Sequence, residues 1–205
     1  MKVLLINGSP HEKGTTRRAF DIVCTVLNKN EIETEIITVG KENVSGCVVC
    51  GGCAKTGRCV KDDVVNVLIE KIEEADGVII GTPVYYASMN GTLKAILDRV
   101  FYSRKKFTGK VGAAIAVARR AGTTATIDEI NKYFMISGMP VVSSKYWNML
   151  FGSNYDQAEQ DIEGLETMEM LGENMSYLLK CIDLGKKAGI TAPENKYTTR
   201  TNFIK

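Results

Sequence analysis

Apolar and polar positions divide the chain into two alternating patterns. Val3-Leu4-Leu5-Ile6 is an unbroken apolar run with no polar alternation, the mark of a strand buried on both faces of a parallel sheet. Gly77-Val78-Ile79-Ile80-Gly81 and Val111–Ala118 repeat it, and Glu33–Val39 and Val141–Trp147 read as further strands. Between them apolar residues recur at helical spacing: Ala19, Phe20, Val23, Val26 and Leu27, then Val65, Leu68, Ile69 and Ile72 behind Asp62-Asp63. Leu93, Ile96, Leu97 and Val100 follow Asn90-Gly91, and Ile127, Ile130 and Phe134 follow Thr123. After a polar stretch from Gly152 to Gly164, a long last helix runs through Leu165, Met168, Leu171, Met175 and Ile182. Five strands alternating with five helices predict an α/β fold, a three-layer, doubly wound, five-stranded parallel sheet. Residues 1–190 are expected to form a single domain with a cysteine-rich loop at 46–60, and 191–205 a polar C-terminal tail.

In such a sheet the ligand lies beyond the carboxyl ends of the strands. Three loops fall at that edge. The first runs from Ser9-Pro10 to Gly14-Thr15-Thr16, where hydroxyls, backbone N–H groups and a helix start converge on a place suited to an anion, most simply a phosphate. The competing reading is an ordinary strand–helix loop with a threonine cap. There is no G-K-[ST] and no G-x-G-x-x-G, so a mononucleotide phosphate fits better than a dinucleotide. His11, the lone histidine, lies in this loop and reads as solvent-facing.

The second loop is Thr82-Pro83-Val84-Tyr85-Tyr86-Ala87-Ser88-Met89-Asn90-Gly91. Tyr85 and Tyr86 offer flat faces with polar tips for a planar ring, and Asn90-Gly91 permits close backbone approach. Either tyrosine alone would read as half-buried packing. The third loop holds Arg119, Arg120 and Gly122, where the guanidiniums would neutralise an anionic ring or a nucleotide phosphate, or else stand as solvated surface charges. Trp147 either lines the same pocket or belongs to the core.

Charge adds little: 26 basic against 24 acidic residues in 205 leave +2, too balanced to argue for nucleic acid or a membrane surface. No run of 18 apolar residues and no signal-peptide pattern occur, so a cytoplasmic protein is expected.

Six cysteines change the picture more. Cys47, Cys50, Cys53 and Cys59 follow C-x2-C-x2-C-x5-C in a glycine-rich stretch. That spacing suits a [4Fe-4S] cluster, with zinc, a thiol/disulfide pair and unliganded thiols as alternatives. The module is expected outside the sheet near its carboxyl edge. Cys24 and Cys181 read as small core residues.

Taken together, Gly8-Ser9-Pro10, Gly14-Thr15-Thr16, Asp62-Asp63, Gly81-Thr82-Pro83-Val84-Tyr85, Gly91-Thr92-Leu93-Lys94 and Asp98-Arg99 resemble the NADPH-dependent FMN reductase branch of the flavodoxin-like superfamily. The cysteine module resembles that of the iron–sulfur flavoproteins. The resemblance covers roughly residues 1 to 150 and implies a flavodoxin-like strand order 2-1-3-4-5. It implies FMN as cofactor, with the phosphate in the Ser9–Thr16 loop and the ring against Pro83–Tyr86 and the Ala118–Gly122 loop. It also implies a homodimer or homotetramer. The expected activity is an FMN-dependent oxidoreductase that takes electrons from NAD(P)H or a low-potential, ferredoxin-type carrier, with no side chain required as acid or base. The alternatives are a non-enzymatic flavodoxin-type electron carrier, against which the +2 charge argues, and a thiol or metal redox regulator.

Overall fold

The computed structural model describes residues 1–103, 105, 107–194, 199, 201 and 203. Most of the expected tail beyond 194 therefore lies outside the described residues. In chain order the elements are β1 (Lys2–Asn7), α1 (Thr15–Lys29), β2 (Glu33–Thr38), α2 (Cys53–Thr56), α3 (Val64–Glu74), β3 (Gly77–Tyr85) and β4 (Ser88–Met89). There follow α4 (Gly91–Tyr102), β5 (Val111–Ala118), α5 (Thr123–Ile136), β6 (Met149–Phe151), α6 (Tyr155–Ala158) and α7 (Ile162–Lys187).

The main sheet is parallel throughout, in the order β2-β1-β3-β5-β6. The short β4 pairs antiparallel with the end of β3 and lies off this path. With β4 set aside, the expected order 2-1-3-4-5 is the observed one.

Alternation along the buried strands divides the core in two. Leu4, Ile6, Val78, Ile80, Ala114 and Ala116 face the apolar sides of α3, α4 and α5. Val3, Leu5, Ile79, Val111, Ala113 and Ile115 face α1 and α7. This two-sided burial explains the absence of polar alternation in β1, β3 and β5. Gly81 is a packing glycine: a Cβ there would stand 2.4 Å from the Phe20 ring, so α1 could not approach β3.

The expected fifth strand, Val141–Trp147, is displaced. Val141 makes a single parallel bridge to Gly112, and ladder pairing resumes at Met149–Phe151 against Ala116–Ala118. Between them Ser144 Oγ lies 2.7 Å from both the Tyr146 carbonyl and Asn148 Oδ1, with one proton to serve either, while Asn148 Nδ2 donates to the Val142 carbonyl at 3.3 Å. These local bonds compete with the ladder and close a small excursion. Trp147 sits on it, half-exposed, edge-on to Tyr146 at 4.5 Å. It lies ahead of β6 rather than at its carboxyl end, apart from the three edge loops.

The helix entries behave as their residues predict: Asp63 caps α3 through Val65 N and Asn90 caps α4 through Thr92 N and Leu93 N. The polar stretch after β6 holds a further short helix, α6, capped by Asn154, and Asp161 caps α7. Cys24 is half-buried against the α1/α7 core, as expected of a small core residue, whereas Cys181 is exposed on α7 and is no core residue.

Candidate functional site

The loops after β1, β3 and β5 meet at the carboxyl edge. Gly8 N donates to the Gly81 carbonyl at 2.8 Å, binding the first loop to the root of the second. At Gly122, φ is 91°, and a Cβ would stand 2.7 Å from Val84 Cγ1, so the third loop presses its backbone onto the second. Gly40, after β2, packs equally close, its missing Cβ falling 2.2 Å from the carbonyl carbon of Ser9.

The first loop folds over its own polar groups. Ser9 N donates to Asn7 Oδ1 at 2.9 Å, and His11 N donates to Ser9 Oγ at 3.1 Å. Ser9 Oγ acts there as acceptor, so its O–H remains a donor. Helix α1 starts at Thr15 behind Gly14, with no side chain capping its first N–H groups. The threonine cap of the competing reading is not formed, since Gly14 stands at the N-cap.

The three hydroxyls differ. Thr15 Oγ1 lies 3.0 Å from the Gly152 carbonyl and 3.1 Å from that of Asn154, so its proton is committed to the segment after β6. Thr16 Oγ1 is buried with no hydrogen-bond partner among the described residues. A buried hydroxyl left unpaired costs about 1–3 kcal/mol, so an orphan beside an uncapped helix start suits an anion that both would donate to. Pro10 is half-buried at the turn and His11 is exposed, as expected.

Beyond Thr82 the second loop is a hairpin, with Val84 opposite Met89 and Tyr85 opposite Ser88. Tyr86 stands at its tip in a left-handed conformation, φ 56°, with its side chain wholly in solvent. A bulky residue there is strained, by about 1–2 kcal/mol. Ser88 Oγ donates to Glu129 on α5, and Glu129 also pairs with Lys94 on α4. These bonds fix the hairpin's foot. Burial raises the pKa of the Glu129 carboxyl, but the hydrogen bonds from Lys94 and Ser88 outweigh it and hold the net value below the ordinary one. Asn90 is buried, and its side-chain oxygen accepts from Thr92 N at 2.7 Å and Leu93 N at 3.3 Å. That side chain caps the start of α4. Gly91 next to it opens onto free space. Arg119 and Arg120 are exposed at the same edge, and neither enters an ion pair among the described residues.

The cysteine module lies elsewhere. Cys53 Sγ is 3.5 Å from the Tyr102 carbonyl, and Cys59 Sγ meets Arg99, so both touch the last turns of α4. Arg99 is nine residues into a helix that begins at the carboxyl edge, roughly 13 Å along its axis. The module therefore lies outside the sheet, against α4 and the start of α3, where Asp63 caps that helix. Arg99, buried in α4, gathers Ser45, Cys59 and Asp63 round one guanidinium.

Cys47, Cys50, Cys53 and Cys59 all line one cavity of about 30 Å³, with Arg99 and Tyr102 on its far wall. Among the described residues, no three Cys, His, Asp or Glu side chains close on a single metal ion. Asn66 holds the loop's end, accepting from Cys59 N at 2.8 Å and donating to the carbonyls of Cys59 and Lys61, both at 3.1 Å.

Three supports of these sites gave no motif signal: Gly40 under the first loop, the Gly152 and Asn154 carbonyls at Thr15, and Asn66 behind Cys59. The first two act across long sequence separations through backbone that any residue carries, and Asn66 acts with its side-chain amide on residues five and seven positions away.

Against known proteins, the profile of the NADPH-dependent FMN reductase family matches residues 1–153. An iron-sulfur flavoprotein of Methanocaldococcus jannaschii is 34% identical over 191 residues, covering 89% of this chain and 99% of its own. One from Methanosarcina thermophila is 34% identical over 188 residues, covering 89% and 97%. Among solved structures, RosB with a bound 8-demethyl-8-formylriboflavin-5'-phosphate superposes with a TM-score of 0.69 at 17% identity, over 100% of this chain and 92% of that one. An archaeal flavodoxin gives 0.60 at 15% identity, over 88% and 99%. These structures share the fold. Among the described residues no helix is long and apolar enough to cross a membrane.

Proposed function

The chain belongs to the NADPH-dependent FMN reductase family, and from that premise we propose how its residues serve a flavin and what else they hold. It is a flavoprotein oxidoreductase with FMN as cofactor. The observation that carries the assignment of residues is the orphaned Thr16 hydroxyl at the uncapped start of α1.

In this reading Ser9, Thr16 and the first N–H groups of α1 donate to the FMN phosphate, while Gly14 keeps the approach free of a side chain. Thr15 braces the loop from behind through Gly152 and Asn154. Pro83, Val84, Tyr85 and Tyr86 form the wall for the ring, with Tyr86 presented in advance by its strained turn. Gly91 leaves room for it, and Gly122 lets the third loop close against Val84 in that wall. Arg119 and Arg120 offset negative charge on a reduced ring or draw in the phosphate of a nicotinamide nucleotide. When bound, FMN supplies the reversible redox chemistry, and the chain binds, orients and neutralises. NAD(P)H is the electron donor in this reading, with a ferredoxin-type carrier as the other source.

The four cysteines are assigned a [4Fe-4S] cluster. Their spacing and the names of the relatives support it. Exposed Val48, Val49 and Val60 beside the cavity suit cover by a second copy in a homodimer or homotetramer in the cytoplasm.

The test is anaerobic reconstitution with FMN, iron and sulfide, for the wild type and Cys50→Ser, followed by mixing with NADPH. FMN should bind both proteins, iron and acid-labile sulfide should load the wild type alone, and NADPH should bleach the flavin. Failure to bind FMN would sink the site assignment. Equal iron in the two proteins would sink the cluster, and an unbleached flavin would leave the ferredoxin-type carrier as donor.

A further inference from the structure

We propose that Arg99 is a positioning residue for the cysteine centre: it holds the Cys59 sulfur and, by its charge and N–H donors, favours the reduced form of whatever cluster is bound there. The proposal rests on the cluster reading above. Arg99 carries a fixed charge on a side chain only 2% exposed. All five of its N–H donors are used. Nη1 donates to Asp63 Oδ2 at 2.7 Å and to the Ser45 carbonyl at 3.3 Å, and Nη2 to Asp63 Oδ1 at 2.9 Å. The remaining two go to one sulfur, from Nε at 3.3 Å and from Nη2 at 3.2 Å.

The Asp63 pair alone would tie α3 to α4. The two donors on Cys59 exceed that need. A neutral thiol is a weak acceptor, whereas a metal-bound thiolate carries the negative charge that a guanidinium fork satisfies. The neighbouring sulfurs lack such a partner among the described residues: Cys47 Sγ receives only the backbone N–H of Val49 at 3.4 Å, and Cys53 faces a carbonyl. Among the described residues, then, Cys59 is the thiol of the module with a hydrogen bond from a charged side chain.

Hydrogen bonds to sulfur and nearby charge set the potential of such centres. Reduction brings one electron from an external reductant into the centre. No bond to cysteine breaks, and Arg99 keeps its protons. The added negative charge is stabilised by the buried guanidinium, which stabilises the oxidised form less.

The test is a redox titration of the reconstituted centre in Arg99→Gln, Arg99→Lys and the double variant Arg99→Gln/Asp63→Asn. The double variant removes both charges together, and asparagine still caps α3, so it guards against misfolding of the first. In loaded Arg99→Gln the reduced-to-oxidised ratio at the wild-type midpoint should fall about tenfold, ~59 mV for one electron. Arg99→Lys should fall between, keeping the charge without the fork. FMN affinity should not move, because its loops lie at the other end of α4. A variant that binds FMN but sheds its iron also supports a hold on the Cys59 sulfur. Full iron with an unchanged midpoint in all three overturns the proposal while the cluster reading stands. No iron in the wild type overturns both.

Discussion

Thr16→Val separates a ligand-binding hydroxyl from a structural one, because its two effects should have opposite signs. In the unliganded chain the Thr16 hydroxyl is buried without a partner among the described residues. Valine has nearly the same shape and no hydroxyl to leave unpaired. Relief of part of an unsatisfied-group cost of about 1–3 kcal/mol should make the apoprotein about 1 kcal/mol more stable, which raises Tm by ~2–4 °C at this size. The same change deletes a donor to a doubly charged phosphate, a bond of roughly 1.5–3 kcal/mol, so FMN affinity should fall roughly 10- to 150-fold. Thr15→Val is the control. Its hydroxyl serves the carbonyls of Gly152 and Asn154, so it should lower the apoprotein Tm while changing FMN affinity less. Thermal melts without ligand and fluorescence titration with FMN read both. A Thr16→Val protein that melts lower than wild type and binds FMN as tightly would refute the reasoning.

Tyr86→Gly relieves a left-handed tyrosine whose ring buries nothing, so the apoprotein should melt at or above wild type while FMN binds more weakly; a lower Tm with unchanged affinity would show the ring to be structural. Gly122→Ala meets both φ 91° and a contact 2.7 Å from Val84 Cγ1, so urea denaturation should show a loss of roughly 1–3 kcal/mol. Glu129 has a folded pKa below its ordinary value, so its contribution is fully present above the unfolded value, about 4.3, and is lost as pH falls through the lower folded value. Glu129→Gln should therefore flatten the decline in urea midpoint between neutral and acid pH, and an equally steep decline in both proteins would exclude this anchor.

The periodic signal in the sequence carried the architecture. Fully apolar runs at Val3–Ile6, Gly77–Gly81 and Val111–Ala118 can be satisfied only by a sheet covered on both faces, and the helical spacing behind Asp63, Asn90 and Thr123 supplied the cover. The three edge loops followed from that topology. The edge strand did not: Val141–Trp147 looks extended, but Ser144 and Asn148 bond locally and postpone pairing to Met149. Short side chains that can satisfy the backbone themselves blur strand boundaries wherever only one neighbour competes for them.

Composition alone determined that Ser9, Thr15 and Thr16 surround one turn and that four thiols fall within thirteen residues. Which hydroxyl stands free was decided by tertiary structure. The carbonyls that engage Thr15 belong to Gly152 and Asn154, separated from it by 137 and 139 residues. Likewise, spacing grouped the cysteines, but Arg99, 40 residues beyond Cys59, placed them on the flank of α4 and gave one sulfur a charged neighbour. Local spacing records which groups can converge. Partners brought from afar are backbone carbonyls or a single buried side chain, whose positions depend on how whole layers pack, and no local pattern encodes that.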